Sequence, residues 1–173
     1  MSTTTIILIA FAAVAVYLVG IYNDLVSIKT RIVASVQEIG NQLKRQVELI
    51  PNLESSVKGY LKHEKDILKM LSDARKMKDP SAKIAELLPK LQVIVESNPQ
   101  IKGADVVTNL MDELRDTSDK VMYSRRTLID LTADYNIKLT VFPTNLIASA
   151  FGFKAEKGLE VTEEEKKTPK ISL

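Results

Sequence analysis

A run of apolar residues near the start of the chain limits its folding choices more than any other feature. Residues Ile6–Tyr22 (IILIAFAAVAVYLVGIY) contain no charge and no proline. With Thr3–Thr5 before it and Asn23 after it, the run reaches about 20 residues, the length that a helix needs to cross a bilayer. A buried core helix is a weaker alternative, because the run is apolar on every face. We therefore predict a transmembrane anchor over residues 1–22.

A cleaved signal peptide is the main alternative for this run. Such a peptide has a positively charged start, a shorter apolar stretch and a small-residue cleavage site after it. Only the α-amino group supplies positive charge before Ile6, and no convincing Ala-x-Ala cleavage site follows directly after the run. The sequence therefore favours an anchor that stays attached.

The charges that flank the run predict its orientation. Lys29 and Arg31 follow it closely, Lys44 and Arg45 come further along, and no lysine or arginine precedes it. Positively charged flanks tend to stay in the cytoplasm. We expect a single-pass protein with its N-terminus outside and its C-terminal domain in the cytoplasm.

After the run, apolar residues continue at steps of three or four, which places them on one face of a helix. They are Leu25, Ile28, Ile32, Val36, Ile39, Leu43, Val47 and Ile50. Pro51 lacks a backbone N–H and disfavours helical geometry at Ile50, so we expect a kink or a new helix there, with Asn52 as a candidate cap. This tract is also a candidate recognition corner.

The same periodicity predicts four further helical segments. They are residues 52–76, a third helix that ends near residue 96, residues 104–136, and residues 145–151. Asp79 or Ser81 is the expected cap of the third helix, which Pro89 disturbs locally, and Thr144 is the expected cap of the last. The segment 104–136 has a near-heptad, coiled-coil-like apolar stripe. The predicted fold is all-α: an N-terminal transmembrane helix that continues into an elongated antiparallel bundle of about four helices over residues 23–154. Residues 155–173 are mostly Glu, Lys, Thr and Ser, which predicts a disordered charged tail.

Composition excludes several kinds of site. The formal net charge is +2, so the chain lacks the basic excess typical of nucleic-acid binding. There is no cysteine, and His63 is the one histidine, which excludes disulfides, thiolate sites and a polyhistidine metal site within one chain. Ser124 has no base partner that the sequence can identify. We predict no catalytic residue, no cofactor and no metal, and hence a protein that is not an enzyme.

Two pairs of basic residues are candidate contacts. Lys44-Arg45 and Arg125-Arg126 can approach each other in an antiparallel bundle and form a basic site for anionic lipid or an acidic partner. Pairing with carboxylates on neighbouring helices is the structural alternative, which the sequence favours.

A second candidate lies in the apolar stretch Ile137–Phe153. It holds Phe142, Phe151 and Phe153, three of the four phenylalanines in the chain. The short helix there either folds back over the end of the bundle, which we favour, or exposes a docking surface for a partner or for the membrane.

Motifs in these segments identify a resemblance. From Tyr22 onwards the chain resembles the LemA family of bacterial membrane proteins. The matching motifs are Tyr22–Val26 (YNDLV), Gln42–Arg45 (QLKR), Ile50–Leu53 (IPNL), Val57–Tyr60 (VKGY), His63-Glu64, Ser124–Arg126 (SRR), Asp134–Asn136 (DYN) and Phe142–Lys154 (FPTNLIASAFGFK). The chain departs from the family pattern at Asn98-Pro99, Val106-Val107 and Thr117–Asp119. The resemblance implies a helical bundle anchored in a bacterial cell membrane, and it implies no established activity.

These observations predict a membrane-anchored, non-enzymatic scaffold or adaptor that presents a helical bundle to an unknown protein partner. The alternative is an oligomer that organises lipid or remodels the membrane. Small residues in the apolar run (Ala10, Ala13 and Gly20) would allow close contact between copies, so a homo-oligomer is a candidate assembly.

Overall fold

A computed structural model describes residues 2–61, 64–102 and 105–159. Its helices, in chain order, are α1 (Thr3–Val57), α2 (Lys65–Lys76), α3 (Ser81–Ser97), α4 (Pro99–Lys102), α5 (Asp105–Lys138) and α6 (Thr144–Ala150). No strand occurs among the described residues, and the predicted all-α fold is confirmed. The position of His63, the predicted start of a helix at Ala104, and the tail from residue 160 onwards lie outside the described residues.

The chain divides into two compact units. Unit 1 combines Met1–Ser35 with Arg126–Leu173, and unit 2 consists of Val36–Arg125. Helices α1 and α5 are each divided between the two units, with one part in unit 1 and the other in unit 2. The candidate residues predicted from the sequence are therefore shared between two separately packed regions.

Unit 2 contains a continuous apolar core. Every helix segment in the unit contributes side chains to it, at the three- and four-residue steps that place them on one helical face. They include Leu49, Ile50, Leu53 and Val57 of α1, Ile67 and Leu71 of α2, Ile84, Leu87 and Leu91 of α3, Ile101 of α4, and Val107, Met111 and Leu114 of α5. Full burial of each such side chain contributes about 1.5–3 kcal/mol, so this face holds the unit together.

Of the two outcomes expected at Pro51, a kink or a new helix, the new helix is wrong. Helix α1 continues through Pro51 and ends at Val57, after which the chain turns over residues 58–60. A proline inside a helix costs about 3 kcal/mol. Ile50, Leu53 and Val57 are each fully buried, and burial at about 1.5–3 kcal/mol per side chain outweighs that cost. The predicted segment 52–76 is consequently divided between the end of α1 and α2.

Two predicted helix caps also differ from the structure, and a third is present. Asn52 lies inside α1, where its carbonyl oxygen accepts a hydrogen bond from Ser56 Oγ at 2.8 Å, so it caps nothing. Thr144 is the first residue of α6, and backbone acceptors at Val141 and Pro143 receive the next two N–H groups. Asp79 does serve α3, because its Oδ1 accepts the Ser81 N–H at 3.2 Å. Pro89 lies inside an unbroken α3.

Unit 1 packs three helix segments together. Asp24 pairs with Lys138, and five residues further along α1 Lys29 lies near Tyr135, so α1 and α5 run antiparallel here. The buried side chains are Leu25, Ile28 and Ile32 of α1, Leu128, Leu131, Thr132 and Tyr135 of α5, and Ile147 and Ala148 of α6. The start of α1 takes no part in this packing.

That first part of α1 meets the requirements of a membrane span. It contains an 18-residue window that is long and apolar enough to cross a bilayer, and none of that window is buried. The core helix of a soluble protein would be mostly buried. This helix segment therefore has no protein environment for its apolar side chains within the described structure.

Replacing Pro51 with alanine should stabilise the protein by about 1–2 kcal/mol. The substitution restores the N–H that the helix lacks at this position, and the greater freedom of the unfolded chain offsets part of the gain. Urea unfolding of the full chain in detergent micelles, followed by circular dichroism, measures the change. Pro99→Ala is the matched control, because Pro99 is the first residue of α4 and leaves no helical bond unmade. A neutral or destabilising Pro51→Ala would mean that the helix restarts at this proline.

Candidate functional site

The end of α6 is shaped by a glycine. Gly152 has a φ of +70°, a region that side chains with a Cβ rarely adopt. The Phe153 N–H donates to the Ala148 carbonyl at 2.9 Å, and the Gly152 N–H donates to the Ser149 carbonyl at 3.3 Å. These two bonds form a Schellman motif, which ends a helix and turns the chain sharply. The turn places Phe151 and Phe153 close to each other in space.

Both phenylalanine rings contact a tyrosine of α1. The ring centroid of Tyr22 lies 4.9 Å from that of Phe151 and 5.7 Å from that of Phe153, the latter edge to face. Tilted and edge-to-face pairs contribute about 0.5–1.5 kcal/mol each beyond their burial. We call Tyr22, Phe151 and Phe153 the aromatic cluster. Tyr22 is also the last residue of the uncharged run, so the cluster binds α6 to α1 where that run ends.

Ion pairs hold the surrounding chain on the same part of α1. Lys138 Nζ donates to Asp24 Oδ2 at 2.7 Å, and this hydrogen bond raises the pKa of Lys138 above its ordinary value. Lys29 Nζ lies 3.3 Å from Glu156 Oε1. The predicted tail begins at Ala155, yet the Glu156 backbone exchanges two hydrogen bonds with the Asn136 side chain, at 2.9 and 3.0 Å. The chain is therefore bonded to unit 1 at least as far as Glu156.

The segment that carries the phenylalanines has one covered face and one open face. Ile147 and Ala148 of α6 are buried, whereas Leu146 is 59% exposed. Phe142 is 79% exposed and Phe151 is 64% exposed, although Phe151 touches Tyr22 on one side. The segment thus covers part of unit 1 and also presents apolar surface. It combines features of the two alternatives predicted from the sequence, a helix that folds back over the bundle and an exposed docking surface.

Three of the four predicted basic residues have carboxylate partners. Arg45 donates from Nε to Glu113 Oε1 at 2.9 Å and pairs with it through Nη2 as well, which raises the arginine pKa. Lys44 lies 4.0 Å from Glu48, and Arg125 pairs with Asp79. The structure gives no ion pair for Arg126 among the described residues, and its side chain is exposed. Three of the four basic residues thus make ion pairs on the helices, and exposed pairs of this kind contribute about 0–1 kcal/mol.

An open cleft of about 390 Å³ lies beside the first basic pair in unit 2. It is lined by Asn41, Lys44, Arg45, Glu48, Leu49, Asn52 and Glu113. Its charged groups are largely engaged with one another, which leaves amides and an apolar side chain as the remaining wall. Among the described residues, no group of three His, Cys, Asp or Glu side chains could hold a metal ion.

Sequence reasoning missed a buried polar residue. Gln46 is fully buried in unit 2, donates to Ser118 Oγ at 3.1 Å and accepts from Ser81 Oγ at 3.2 Å. Gln46 lies three residues after Leu43 and four before Ile50, so the sequence alone places it on the inward face of α1 and could have predicted its burial. Its partners, by contrast, lie on other helices and can be found only from the fold.

Fold and site together define the class: a membrane-associated all-α protein, in which one exposed apolar helix is long enough to span a bilayer and continues into a packed helical core. The model of the LemA family matches residues 35–173, and the chain belongs to the LemA family.

The chain is also similar to two magnetosome proteins over a shorter stretch. It is 33% identical over 67 residues to magnetosome protein MamQ of Magnetospirillum gryphiswaldense, and 31% identical over 67 residues to magnetosome protein MamQ 2 of Paramagnetospirillum magneticum. Each match covers 39% of this chain and 25% of the relative. The chain therefore matches about a quarter of the length of these curated relatives.

Replacing Gly152 with alanine should destabilise the protein by about 1–2 kcal/mol, because a Cβ disfavours a positive φ. No neighbouring atom lies within 4 Å of the added carbon, so the backbone conformation is the source of the cost. Hydrogen exchange of the Phe153 amide, measured by NMR, should accelerate as its bond to Ala148 weakens. Gly40→Ala is the matched control: it also adds an unhindered Cβ, but in mid-helix, where alanine stabilises by about 1 kcal/mol. Equal effects at the two positions would contradict the assignment of the turn.

Replacing Asp24 with asparagine should lower the pKa of Lys138, since the hydrogen bond to Asp24 is the largest cause of its rise. A lysine whose pKa is raised by folding stabilises the protein fully below the unfolded value, and this contribution disappears as the pH rises above about 10.4. NMR titration of isotope-labelled lysine side chains measures the pKa directly. Asp134→Asn is the control, because Asp134 lies 3.6 Å away and should produce a smaller fall. An unchanged pKa in Asp24→Asn would exclude the ion pair.

Proposed function

We propose that this protein is a membrane-anchored, non-enzymatic scaffold or adaptor that presents its helical bundle to a protein partner. The observation that carries the proposal is the continuity of α1. The unburied apolar residues and the core residues Ile50, Leu53 and Val57 belong to one helix, Thr3–Val57, without a linker between them. An anchor of this kind holds the first helix of the bundle directly at the bilayer.

Tethering has a physical benefit for binding. A partner confined near the same membrane meets the bundle at a raised effective concentration, so a weak contact is sufficient. The flanking charges Lys29 and Arg31 support an anchor in a bacterial cell membrane with the bundle on the cytoplasmic side.

The chemistry of the unit 2 cleft supports binding over catalysis. Arg45 and Glu113 neutralise each other, as do Lys44 and Glu48. A catalytic site requires a nucleophile or base within reach of groups that stabilise developing charge. The cleft is lined by cations and carboxylates that pair with each other and by amides, and such groups suit recognition of a polar surface.

An exposed face of α5 is the surface that we assign to the partner. Arg126 and Ile129 lie one helical turn apart, Ile129 is 52% exposed, and Arg126 makes no ion pair with the described residues. An exposed arginine beside an apolar side chain is the combination that helical binding surfaces use as an anchor. Arg126 was among the residues predicted from sequence as a candidate contact.

Crosslinking in native membranes tests the proposal. The full chain is crosslinked in intact cells, its membranes are solubilised in mild detergent, and the captured proteins are compared with those from Arg126→Glu/Ile129→Ser. We expect one partner to be captured about tenfold less by this double variant, which corresponds to about 1.4 kcal/mol. Asp134→Asn is the control, because this exposed residue is rotated by about 80° from Arg126 and about 140° from Ile129 around the axis of the same helix. It should capture the partner as the unchanged chain does.

Capture of no specific protein would count against a scaffold. Capture that is equal for all variants would keep the scaffold and exclude the Arg126 surface. The alternative function, a lipid-organising or membrane-remodelling oligomer, is favoured by the exposed Phe142 and Phe151, and it predicts crosslinks chiefly between copies of this chain.

A further inference from the structure

Apolar side chains beside the aromatic cluster have no cover in the described part of the chain. Val141 is 44% exposed, Phe142 79%, Leu146 59% and Phe151 64%. Single exposed apolar residues are ordinary, but several around one short helix form a surface that requires an explanation. We call Val141, Phe142, Leu146 and Phe151 the α6 patch.

The α6 patch is fixed at a defined position along α1. Phe151 lies against Tyr22, with ring centroids 4.9 Å apart. The pairs Asp24–Lys138 and Lys29–Glu156 attach the chain before and after α6 to the next two turns of α1. Tyr22 ends the uncharged run, so a bilayer that accommodates residues 6–22 has its headgroup boundary close to this tyrosine. The patch consequently lies beside that boundary.

We propose that the α6 patch inserts into the surface of the lipid bilayer, beside the transmembrane part of α1, as a second membrane contact. This inference rests on the proposed anchor. Phenylalanine and leucine side chains on a short helix can enter the boundary between headgroups and acyl chains, where burial removes their apolar surface from water. Tyrosine is enriched at this depth, which suits Tyr22 at the inner edge of the patch.

The charges around the patch suit an anionic lipid surface. Asp24 and Glu156, the nearest carboxylates, are already paired with Lys138 and Lys29. Lys154 and Lys157 are exposed and make no ion pair with any described residue. Two available cations directly after the apolar patch would lie among the headgroups and attract anionic lipids.

Continuity favours lipid over a protein as the occupant. The exposed side chains of the span and those of the patch meet at the aromatic cluster, without a polar gap between Tyr22 and Phe151. A partner protein that covered the patch would itself have to lie against the bilayer. The lipid that surrounds the span, by contrast, already reaches this level.

Tryptophan fluorescence in the full chain tests the proposal. The chain contains no tryptophan, so a single substitution reports from one position. Phe142→Trp and Phe151→Trp are reconstituted into vesicles of equal parts phosphatidylcholine and phosphatidylglycerol, with or without bromine on the acyl chain near the headgroup. We expect bromine to quench both about twofold or more, because the indole lies at that depth. Tyr123→Trp, an exposed position on α5 in unit 2, is the control that should remain unquenched.

A further variant separates failure of this inference from failure of the proposed anchor. Val14→Trp reports from the middle of the apolar run and should be quenched by bromine placed deep in the acyl chain. If Val14→Trp is quenched while Phe142→Trp and Phe151→Trp behave as Tyr123→Trp does, the patch proposal is overturned and the anchor stands. If Val14→Trp is not quenched, both fail. A blue-shifted but unquenched Phe142→Trp would show a protein cover and overturn the lipid assignment.

The charge part of the proposal has its own test. Adding Lys154→Glu and Lys157→Glu to Phe142→Trp should reduce its quenching in the vesicles that contain phosphatidylglycerol. In vesicles of phosphatidylcholine alone, the same substitutions should have little effect. Equal quenching in both vesicle types, with and without the substitutions, would exclude a role for anionic lipid.

Discussion

The packing of α1 around Pro51 is the constraint on which the rest of this structure depends. A helix that ended at Ile50 would place the core residues Leu53 and Val57 on a different element from the apolar run. Ile50 and Leu53, on either side of the proline, are both fully buried, and their contribution exceeds the cost of one missing backbone bond. The unburied apolar residues and the core residues consequently share one element, and this continuity is the observation that supports the proposed scaffold.

Both units bury apolar side chains, and unit 1 adds directed contacts that hold the described end of the chain. Unit 2 is held by a continuous apolar core. In unit 1, three kinds of contact hold the described end of the chain in place. They are the aromatic cluster at Tyr22, the ion pairs of Asp24 and Lys29, and the hydrogen bonds between the Asn136 side chain and the Glu156 backbone. These polar contacts are specific in direction, so they fix α6 at one level of the helix. Apolar burial alone would fix it less well.

Much of this fold could be predicted from the sequence, because apolar residues at steps of three and four mark helices directly. The helix over Ser81–Ser97 and most of α5 follow from that pattern. Local rules failed where burial overruled them, at Pro51 and Asn52, and where backbone carbonyls replaced the cap expected from Thr144. Tertiary context decides such positions, and a single sequence does not show it.

The candidate residues could be selected from the sequence, but the partners of some of them could not. The phenylalanines and the basic pairs could be selected by type and spacing, whereas the partners of Arg45 and Arg125 lie 68 and 46 residues away and needed the fold. Gly152 is different, since a glycine directly after a short apolar helix is a recognised stop signal that the sequence already contained. Its importance lies in the two rings that the turn brings to Tyr22.

The buried Gln46 has a mechanical consequence. Its amide is satisfied by Ser118 and Ser81 at one axial setting of α1 within unit 2. If α1 moved along its axis by one turn, the amide would lose these hydrogen bonds while it stayed buried among apolar side chains, at a cost of about 1–3 kcal/mol. Gln46 therefore opposes displacement of α1 along its own axis relative to α3 and α5 within unit 2.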